Sequence, residues 1–241
     1  MPHNRYYLDS ELIPGSSVTL TGDEWHHLSH VSRGKIGEQI ELIDGKGTLA
    51  AARIEQIGKK EGTLVIEKIV EYQPLPPVVI LSLAISRMNH LEWAVEKATE
   101  LGASSLWLFS GMLSEKESLS ANQLTRLQAL VLAATKQCGR LYLPEIKWMP
   151  PLKEWKAMEG SLFLCDTTPS APYLWDLPVF ADKPLTFPVV FFIGPERGFD
   201  PREESLLKTS LKAQGVRLHP HILRTETAPL VALSLIQPHL S

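Results

Sequence analysis

A short polar run near the end of this chain carries side chains that could do chemistry. The run reads RTET at 224–227 and supplies a cation, a carboxylate and two hydroxyls. The apolar residues at 216–223 predict a buried strand before it, and those at 230–236 predict a helix after it. Ligands of open α/β sheets bind at such strand-to-helix edges. A structural alternative is that either threonine caps the helix and the glutamate complements its dipole.

A second strand-to-loop-to-helix pattern comes directly before the first. The run PVVFFI at 188–193 is typical of a buried strand, and it ends in the glycine-bounded loop GPERGF at 194–199. Asp200 fits a helix N-cap, with a proline after it and Glu203 as the capping-box partner. Gly215 is expected to close this helix. Because only Gly215 separates the two patterns, their loops are predicted to lie side by side.

Residues 1–72 are predicted to form a small β domain, a barrel or sandwich. The hairpin signal DGKG lies at 44–47, and one helical turn is expected within 23–31. The proline-rich segment 71–77 predicts a linker to a second domain, 73–241. Four segments rich in β-branched and aliphatic residues predict the strands of the first domain: 17–20, 39–43, 48–57 and 63–70.

Strands and helices alternate in the second domain, which predicts an α/β fold with a mostly parallel sheet. One helix is expected to start at an Asn89 N-cap and to stop at Gly102. Another is expected to start at Ser120, with Gln123 as its capping-box partner, and to continue to Gly139. The predicted strands are 78–84, 105–109, 161–165, 189–193 and 216–222.

Composition restricts the possible functions of the 241-residue chain. With 44% hydrophobic and 21% charged residues it resembles an ordinary soluble protein of one large or two small domains. It has no long apolar run and no apolar signal core, so a cytoplasmic protein without a membrane span is expected. Lys and Arg number 24 against 27 Asp and Glu, a net charge of −3. Any RNA site must therefore be a local patch of positive charge.

Metal and dinucleotide sites are not favoured by the sequence. Cys138 and Cys165 lack metal-ligand spacing and are expected to be buried reduced thiols. The histidines within 26–30 have no acidic or cysteine partner spaced to complete a coordination shell, so no metal is predicted. The motif G-x-G-x-x-G is absent, which disfavours a Rossmann dehydrogenase.

Three motifs in order, EKATELGA (96–103), GPERGF (194–199) and ILRTETA (222–228), resemble the bacterial small-subunit rRNA uridine-N3 methyltransferases of the RsmE type, in the SPOUT superfamily. Segment 20–47 is similar to the family's PUA-like RNA-binding domain, and the resemblance covers essentially the whole chain. It implies a SPOUT-type mostly parallel sheet with a C-terminal trefoil knot, preceded by a PUA-like β-barrel. It also implies a homodimer that methylates uridine N3 of 16S rRNA, within the 30S subunit, using S-adenosyl-L-methionine.

The resemblance assigns the cofactor to backbone and apolar groups of the two loops, where glycine allows close approach of the main chain. Uridine N3 must lose a proton before it can attack a methyl group. Arg224 is the first candidate to stabilise the resulting anion, and Glu196 or Glu226 could accept the proton or orient the base. The alternative for both acids is anchoring of backbone N–H groups. The cofactor-binding candidates are Leu164, Ile193, Gly194, Gly198, Leu218, Ile222, Leu223 and Arg224.

Five cations are candidates for RNA contact: Arg5, Arg33, Lys35, Arg87 and Arg140. Each could instead be a solvated or ion-paired surface charge.

The chain departs from the family pattern at several positions. Arg197 stands in the loop where the family has a glycine, and His219 and His221 replace a glycine and an arginine. Residues 133–137 read AATKQ where the family has EAxEQ. Three other functions are compatible with the sequence. Two of them are a non-catalytic SPOUT-fold RNA-binding or ribosome-assembly factor and a SPOUT methyltransferase with another RNA target. The third is a small-molecule methyltransferase, which the acidic net charge favours.

Overall fold

The computed structural model describes residues 4–178 and 185–240 and contains two compact units. One unit comprises Met1–Pro76 together with Leu132–Leu143. The other comprises Pro77–Val131 together with Pro144–Ser241.

The first unit is built on a five-stranded sheet with the strand order β1-β3-β4-β5-β2. Its strands pair antiparallel except for β1, which runs parallel to β3. The apolar residues alternate along β4 and line one core with Trp25 and Leu28. The strands are β1 (Arg5–Tyr7), β2 (Ser17–Thr21), β3 (Gln39–Ile43), β4 (Thr48–Ile57) and β5 (Glu61–Tyr72).

A short helix connects β2 to β3 in this unit. It is α1 (Gly22–His26), continued by a π-helical turn over His27–Val31, as the sequence predicts. The strand β5 is longer than predicted and includes the first two residues of the segment expected to be a linker. The strand β1 was not predicted, because its three residues carry no alternation that distinguishes a strand from a loop.

The second unit contains a six-stranded, all-parallel sheet with the strand order β11-β9-β10-β6-β7-β8. Every residue of β6 and β10 is buried, which explains why both are continuous apolar runs rather than alternating ones. The strands are β6 (Val79–Ala84), β7 (Ser105–Phe109), β8 (Glu145–Trp148), β9 (Ser161–Cys165), β10 (Val189–Ile193) and β11 (Gln214–Val216).

Helices connect these strands. Two of the predicted capping boxes are present: Asp200 with Glu203, and Ser120 with Gln123. The helices are α2 (Met88–Glu100), α3 (Ala121–Cys138), α4 (Pro201–Ser205), which a π-helical turn over Leu206–Ser210 continues, and α5 (Thr227–Ile236). The residues of α3 from Leu132 onward belong to the first unit.

The predicted strand 216–222 is wrong beyond its first residue. The strand β11 ends at Val216, and Ile222 is 80% exposed. Pro220 cannot donate a ladder hydrogen bond, and the pairing of β11 with β9 ends opposite Cys165. Gly215 lies inside β11 instead of closing the preceding helix, whose last turn ends at Ser210.

Three further predictions need correction. Asn89 lies inside α2, whose N-cap is Arg87, so it does not cap that helix. Cys138, in the last turn of α3, is exposed and Cys165 is half-buried, so neither thiol is buried as predicted. The edge strand β8 was missed, because its exposed residues EIKW lack an apolar run.

Candidate functional site

A cavity of about 700 Å³ opens at the carboxyl ends of β9, β10 and β11. Its walls come from the residues that follow these three strands and from His90 of α2. Its volume lies within the roughly 300–1,000 Å³ typical of small-molecule sites. The two loops predicted to be neighbours are joined here, because the Thr225 hydroxyl donates a hydrogen bond to the Gly194 carbonyl at 2.8 Å.

Most of the predicted cofactor residues line this cavity. Leu164 does not, because its side chain is 1% exposed and packs in the hydrophobic core of the unit. Successive side chains of a strand point to opposite faces, so the neighbouring Cys165 lines the cavity instead. The predicted residues that line it are Ile193, Gly194, Gly198, Leu218, Ile222, Leu223 and Arg224.

The loop after β10 is a tight turn that requires glycine at two positions. A Cβ on Gly194 would lie 3.1 Å from main-chain atoms of Gly198 and Phe199, and Gly198 has a φ of +77°. The Gly198 N–H closes the turn on the Pro195 carbonyl at 2.8 Å. Among the described residues, the non-glycine positions with positive φ are Arg33 and Lys212, so Arg197 fits this loop without left-handed strain.

Two carboxylates and an imidazole meet at one side of the cavity. The Nδ1 atom of His90 lies 3.5 Å from Glu196 Oε1 and 3.7 Å from Glu226 Oε2, longer than a good hydrogen bond. Glu196 accepts the backbone N–H of Arg87 at 2.9 Å. Burial alone would raise the pKa of Glu196, but the Arg87 N–H and His90 outweigh it and lower this pKa. Glu196 is therefore held as an anion at this position.

Arg224 presents its charge at the cavity mouth from a fixed backbone. Its side chain is 80% exposed, and Nη1 lies 3.9 Å from Glu226 Oε1. Its carbonyl accepts the N–H groups of Thr227 and Ala228, each at 2.9 Å, at the start of α5. The N-cap of α5 is Glu226, which makes no side-chain cap hydrogen bond. The threonine cap offered as an alternative is therefore wrong, because the Thr225 hydroxyl bonds to Gly194 instead.

Sequence reasoning missed several polar groups of the cavity wall, among them His90, Asp166 and Arg217. Asp166 accepts hydrogen bonds from Lys208 Nζ and the Thr168 N–H, each at 2.8 Å. Burial raises the pKa of Asp166, but these donors prevail and lower it overall. Their positions in the sequence could have indicated the site. Asp166 and Arg217 each directly follow a strand, and His90 lies in the first turn of α2, the helix that follows β6.

The cations predicted to contact RNA differ in their exposure to solvent and in their ion pairing. Within the first unit, the Arg5 side chain is 9% exposed and pairs at 2.9 Å with Glu41, whose side chain is 39% exposed, so Arg5 is held in a partly buried ion pair. Arg33 and Lys35 are exposed after the π-helical turn. Arg140 is half-buried, and burial lowers its pKa.

Arg87, in the second unit, is exposed. Its guanidinium lies 3.2 Å from the carboxylate of Glu115.

The described residues contain neither a candidate metal cluster nor a candidate membrane-spanning helix. Within 4–178 and 185–240, no group of three or more His, Cys, Asp or Glu side chains could hold a metal ion. In that same part of the chain, no helix is both long enough and apolar enough to cross a bilayer.

Two family models match the chain. An RNA methyltransferase domain model matches residues 73–237, and an RNA methyltransferase PUA domain model matches residues 20–67. Among curated relatives, the ribosomal RNA small subunit methyltransferase E of Synechocystis sp. is 31% identical, covering 96% of this chain and 76% of the relative. The protein of the same name from Mycobacterium bovis is 29% identical, covering 96% of this chain and 90% of the relative.

Two solved structures of similar fold contain a bound cofactor. The ribosomal RNA small subunit methyltransferase E of Neisseria gonorrhoeae, bound to S-adenosyl methionine, superposes with a TM-score of 0.84 at 28% identity. This match covers 98% of this chain and 97% of that one. A Legionella pneumophila protein in complex with the cofactor SAM superposes with a TM-score of 0.85 at 28% identity, covering 97% of this chain and 96% of that one.

Proposed function

Because this chain belongs to the ribosomal RNA small subunit methyltransferase E family, we propose that it transfers a methyl group from S-adenosylmethionine to N3 of a uridine in 16S rRNA. That it is an RNA methyltransferase follows from the family. The acceptor nitrogen, and the assembled 30S subunit as the substrate particle, are the details proposed here.

The strongest support is the cavity at the ends of three parallel strands, whose size and lining suit S-adenosylmethionine. Ile193, Leu218 and Leu223 supply apolar surface for an adenine ring. The carboxylates of Glu196 and Glu226 complement a positive sulfonium. The tight loop after β10 brings main-chain groups close to a ligand, which fixes its orientation at little entropic cost.

When bound, S-adenosylmethionine supplies an electrophilic methyl group. The protein's own task is to position the uracil and to make N3 a nucleophile. We assign Arg224 to the anion that forms when N3 loses its proton, because its exposed guanidinium stands at the cavity mouth. Pairing the developing negative charge with this cation lowers the barrier to proton loss.

Glu226 is the proposed acceptor of the N3 proton, and Glu196 is the proposed anchor. The pKa of Glu196 is lowered by the Arg87 N–H and His90 in spite of burial, which makes it a weak base. Glu226 lies on the same wall, 3.9 Å from Arg224. His90 Nδ1 lies 3.5 Å from Glu196 and 3.7 Å from Glu226, close enough to interact electrostatically with both acids.

We propose that residues 1–72 form the PUA-like RNA-binding domain and residues 73–241 the methyltransferase domain. In the first, the exposed Arg33 and Lys35 are the proposed phosphate contacts. Arg87 and Arg140 are the proposed RNA contacts of the remaining chain. A modest salt dependence of binding is expected from so few cations.

We also propose a C-terminal trefoil knot and a homodimer that completes each site. After β11, at the sheet edge, the chain returns past β9 to the end of β10, where Thr225 bonds to Gly194; this path supports the knot. The exposure of Ile222 and Arg224 beside the cavity supports a second subunit there. Sedimentation tests the dimer: a monomer with full activity contradicts it.

Nucleoside mass spectrometry of 16S rRNA from cells with and without this gene tests the reaction. We expect 3-methyluridine to disappear on deletion. It should return when the deficient 30S subunits are incubated with purified protein and S-adenosylmethionine. If another methylated nucleoside is lost instead, the acceptor is wrong. If no nucleoside changes and the protein does not bind S-adenosylmethionine, a non-catalytic RNA-binding or assembly factor replaces the proposal.

A further inference from the structure

The turn that follows β9 carries an aromatic stack beside the cavity. The rings of Tyr173 and Trp175 lie 4.5 Å apart between centroids, with 9° between their planes. The Arg217 guanidinium lies 4.1 Å from the centre of the Tyr173 ring. Arg217 also lines the cavity, and Trp175 is 45% exposed. The stack therefore leads from the cavity wall to an indole open to solvent.

This stack is held in place by main-chain hydrogen bonds. The Leu174 N–H donates to the Arg217 carbonyl at 2.9 Å, and the Arg217 N–H donates to the Pro172 carbonyl at 2.8 Å. The Arg217 side chain is fixed as well, because its Nε donates to the Ala171 carbonyl at 2.9 Å. Little conformational entropy is left to lose when a ligand stacks on such a surface.

The neighbouring leucines explain why the indole points outward. Leu174, the first residue of the one-turn 3-10 helix Leu174–Asp176, and Leu177, which follows the helix, are both buried. Trp175 lies between them in sequence and cannot enter the same core. An exposed tryptophan on a turn that is anchored on both sides is a preorganised stacking surface.

We propose that Arg217, Tyr173 and Trp175 form a platform on which an unpaired RNA base, a neighbour of the methylated nucleotide, stacks. This inference rests on the proposed function. An enzyme that acts on a ring nitrogen used in base pairing needs its target unpaired and unstacked. The neighbouring base then loses a stacking partner. Aromatic rings and guanidinium planes are the groups that proteins offer to unstacked bases.

The charges around the stack favour a base over a phosphate as its ligand. Asp176, next to Trp175, is exposed and would repel a phosphate. Lys208 is paired with the cavity residue Asp166 at 2.8 Å and lies 3.7 Å from Glu204, so its charge is already balanced by carboxylates. Stacking on a neutral indole tolerates such acidic surroundings, because it needs only an aromatic face.

The test is Trp175→Ala, with Trp175→Phe as the conservative variant and Trp93→Ala as the matched control. Trp93 is 42% exposed on α2 and does not line the cavity. Each variant is first titrated with 30S subunits from the deletion strain in the absence of S-adenosylmethionine, which measures binding. The titration is then repeated with S-adenosylmethionine present, which measures kcat/KM. Cofactor affinity is measured separately by calorimetry.

We expect Trp175→Ala to lose about tenfold in 30S affinity and in kcat/KM, which is the size of one lost base stack. Trp175→Phe should recover most of the loss, and Trp93→Ala should match the wild type. Unchanged 30S affinity in Trp175→Ala overturns the platform. So does a loss of S-adenosylmethionine affinity in that variant, which would make Trp175 structural. If the wild-type protein binds 30S subunits but leaves uridine N3 unmethylated, the proposed function is wrong. The 30S affinity of Trp175→Ala relative to wild type still tests the platform in that case.

Discussion

The hydrogen bond between Thr225 and Gly194 connects the two loops of the cavity, and its removal gives a quantitative test of the site. Thr225→Val keeps the shape of the side chain but deletes the hydroxyl that donates to the Gly194 carbonyl at 2.8 Å. The bond joins residues 31 positions apart in the chain. Its loss therefore frees segment 222–226 from the loop after β10, and the cavity lining from both is affected.

The size of the effect follows from the energetics of a single neutral hydrogen bond. Such a bond contributes about 1 kcal/mol to stability. For a chain of this length, that loss lowers the thermal midpoint by about 2–4 °C. If the bond also holds the cavity in its binding conformation, the dissociation constant of S-adenosylmethionine rises about fivefold.

Calorimetry with S-adenosylmethionine and a thermal melt without ligand measure the two effects. Thr209→Val is the matched control, because the Thr209 hydroxyl donates to the Ser205 carbonyl at 2.7 Å within one helical turn. This control should leave the dissociation constant unchanged. Equal cofactor affinity in Thr225→Val and wild type would refute the view that this bond organises the cavity. An equal loss in both variants would refute it too.

Three further predictions concern charges and thiols. Arg224→Ala should lower the rate of methyl transfer about hundredfold in single-turnover assays, whereas Arg202→Ala, whose side chain is 76% exposed and is paired, should not. Asp166→Asn should lower the urea midpoint of unfolding at neutral pH, and this difference from the wild type should disappear as the pH falls below about 4. The reason is that the ion pair with Lys208 lowers the pKa of Asp166 in the folded state. Its stabilising effect is therefore complete above the unfolded-state pKa and is lost when the carboxylate is protonated. Iodoacetamide should alkylate the exposed Cys138 in the native protein faster than the half-buried Cys165, because burial raises the pKa of the Cys165 thiol to about 12.

For each of these three predictions, one experimental result would contradict the role given to the residue. Near-normal transfer by Arg224→Ala would remove this residue from the chemistry. A destabilisation by Asp166→Asn that persists unchanged at low pH would show that the amide disturbs packing rather than the ion pair. Alkylation of Cys165 at the rate of Cys138, read by peptide mass spectrometry, would mean that the Cys165 thiol is open to solvent.

Much of the fold could be predicted from local sequence. The strands β3, β4, β7, β9 and β10 have the predicted bounds, because an apolar run between polar or glycine-containing turns fixes both its type and its ends. The capping box of Asp200 and Glu203 was equally predictable, because every group in it lies within four residues.

The candidate site was predictable only in part. The two glycines of GPERGF indicated a tight turn, and the adjacency of the two loops followed from the short connection between them. The misassigned strand 216–222 shows why the rest was not: Leu218 and Leu223 are apolar because they line a cavity, and cavity linings have the composition of a buried strand.

The sequence by itself determined the elements whose causes are local: the apolar strands, the helix caps and the glycines of the turn after β10. Only the tertiary structure decided which side chains share the cavity. His90 reaches Glu196 and Glu226 because β6 and β10 are neighbours in the sheet, although more than a hundred residues separate them along the chain. The orientation of Leu164 into the core and of Cys165 into the cavity depended on which face of β9 the helices cover. Strand order and the choice of face come from packing between distant segments, and no local pattern records them.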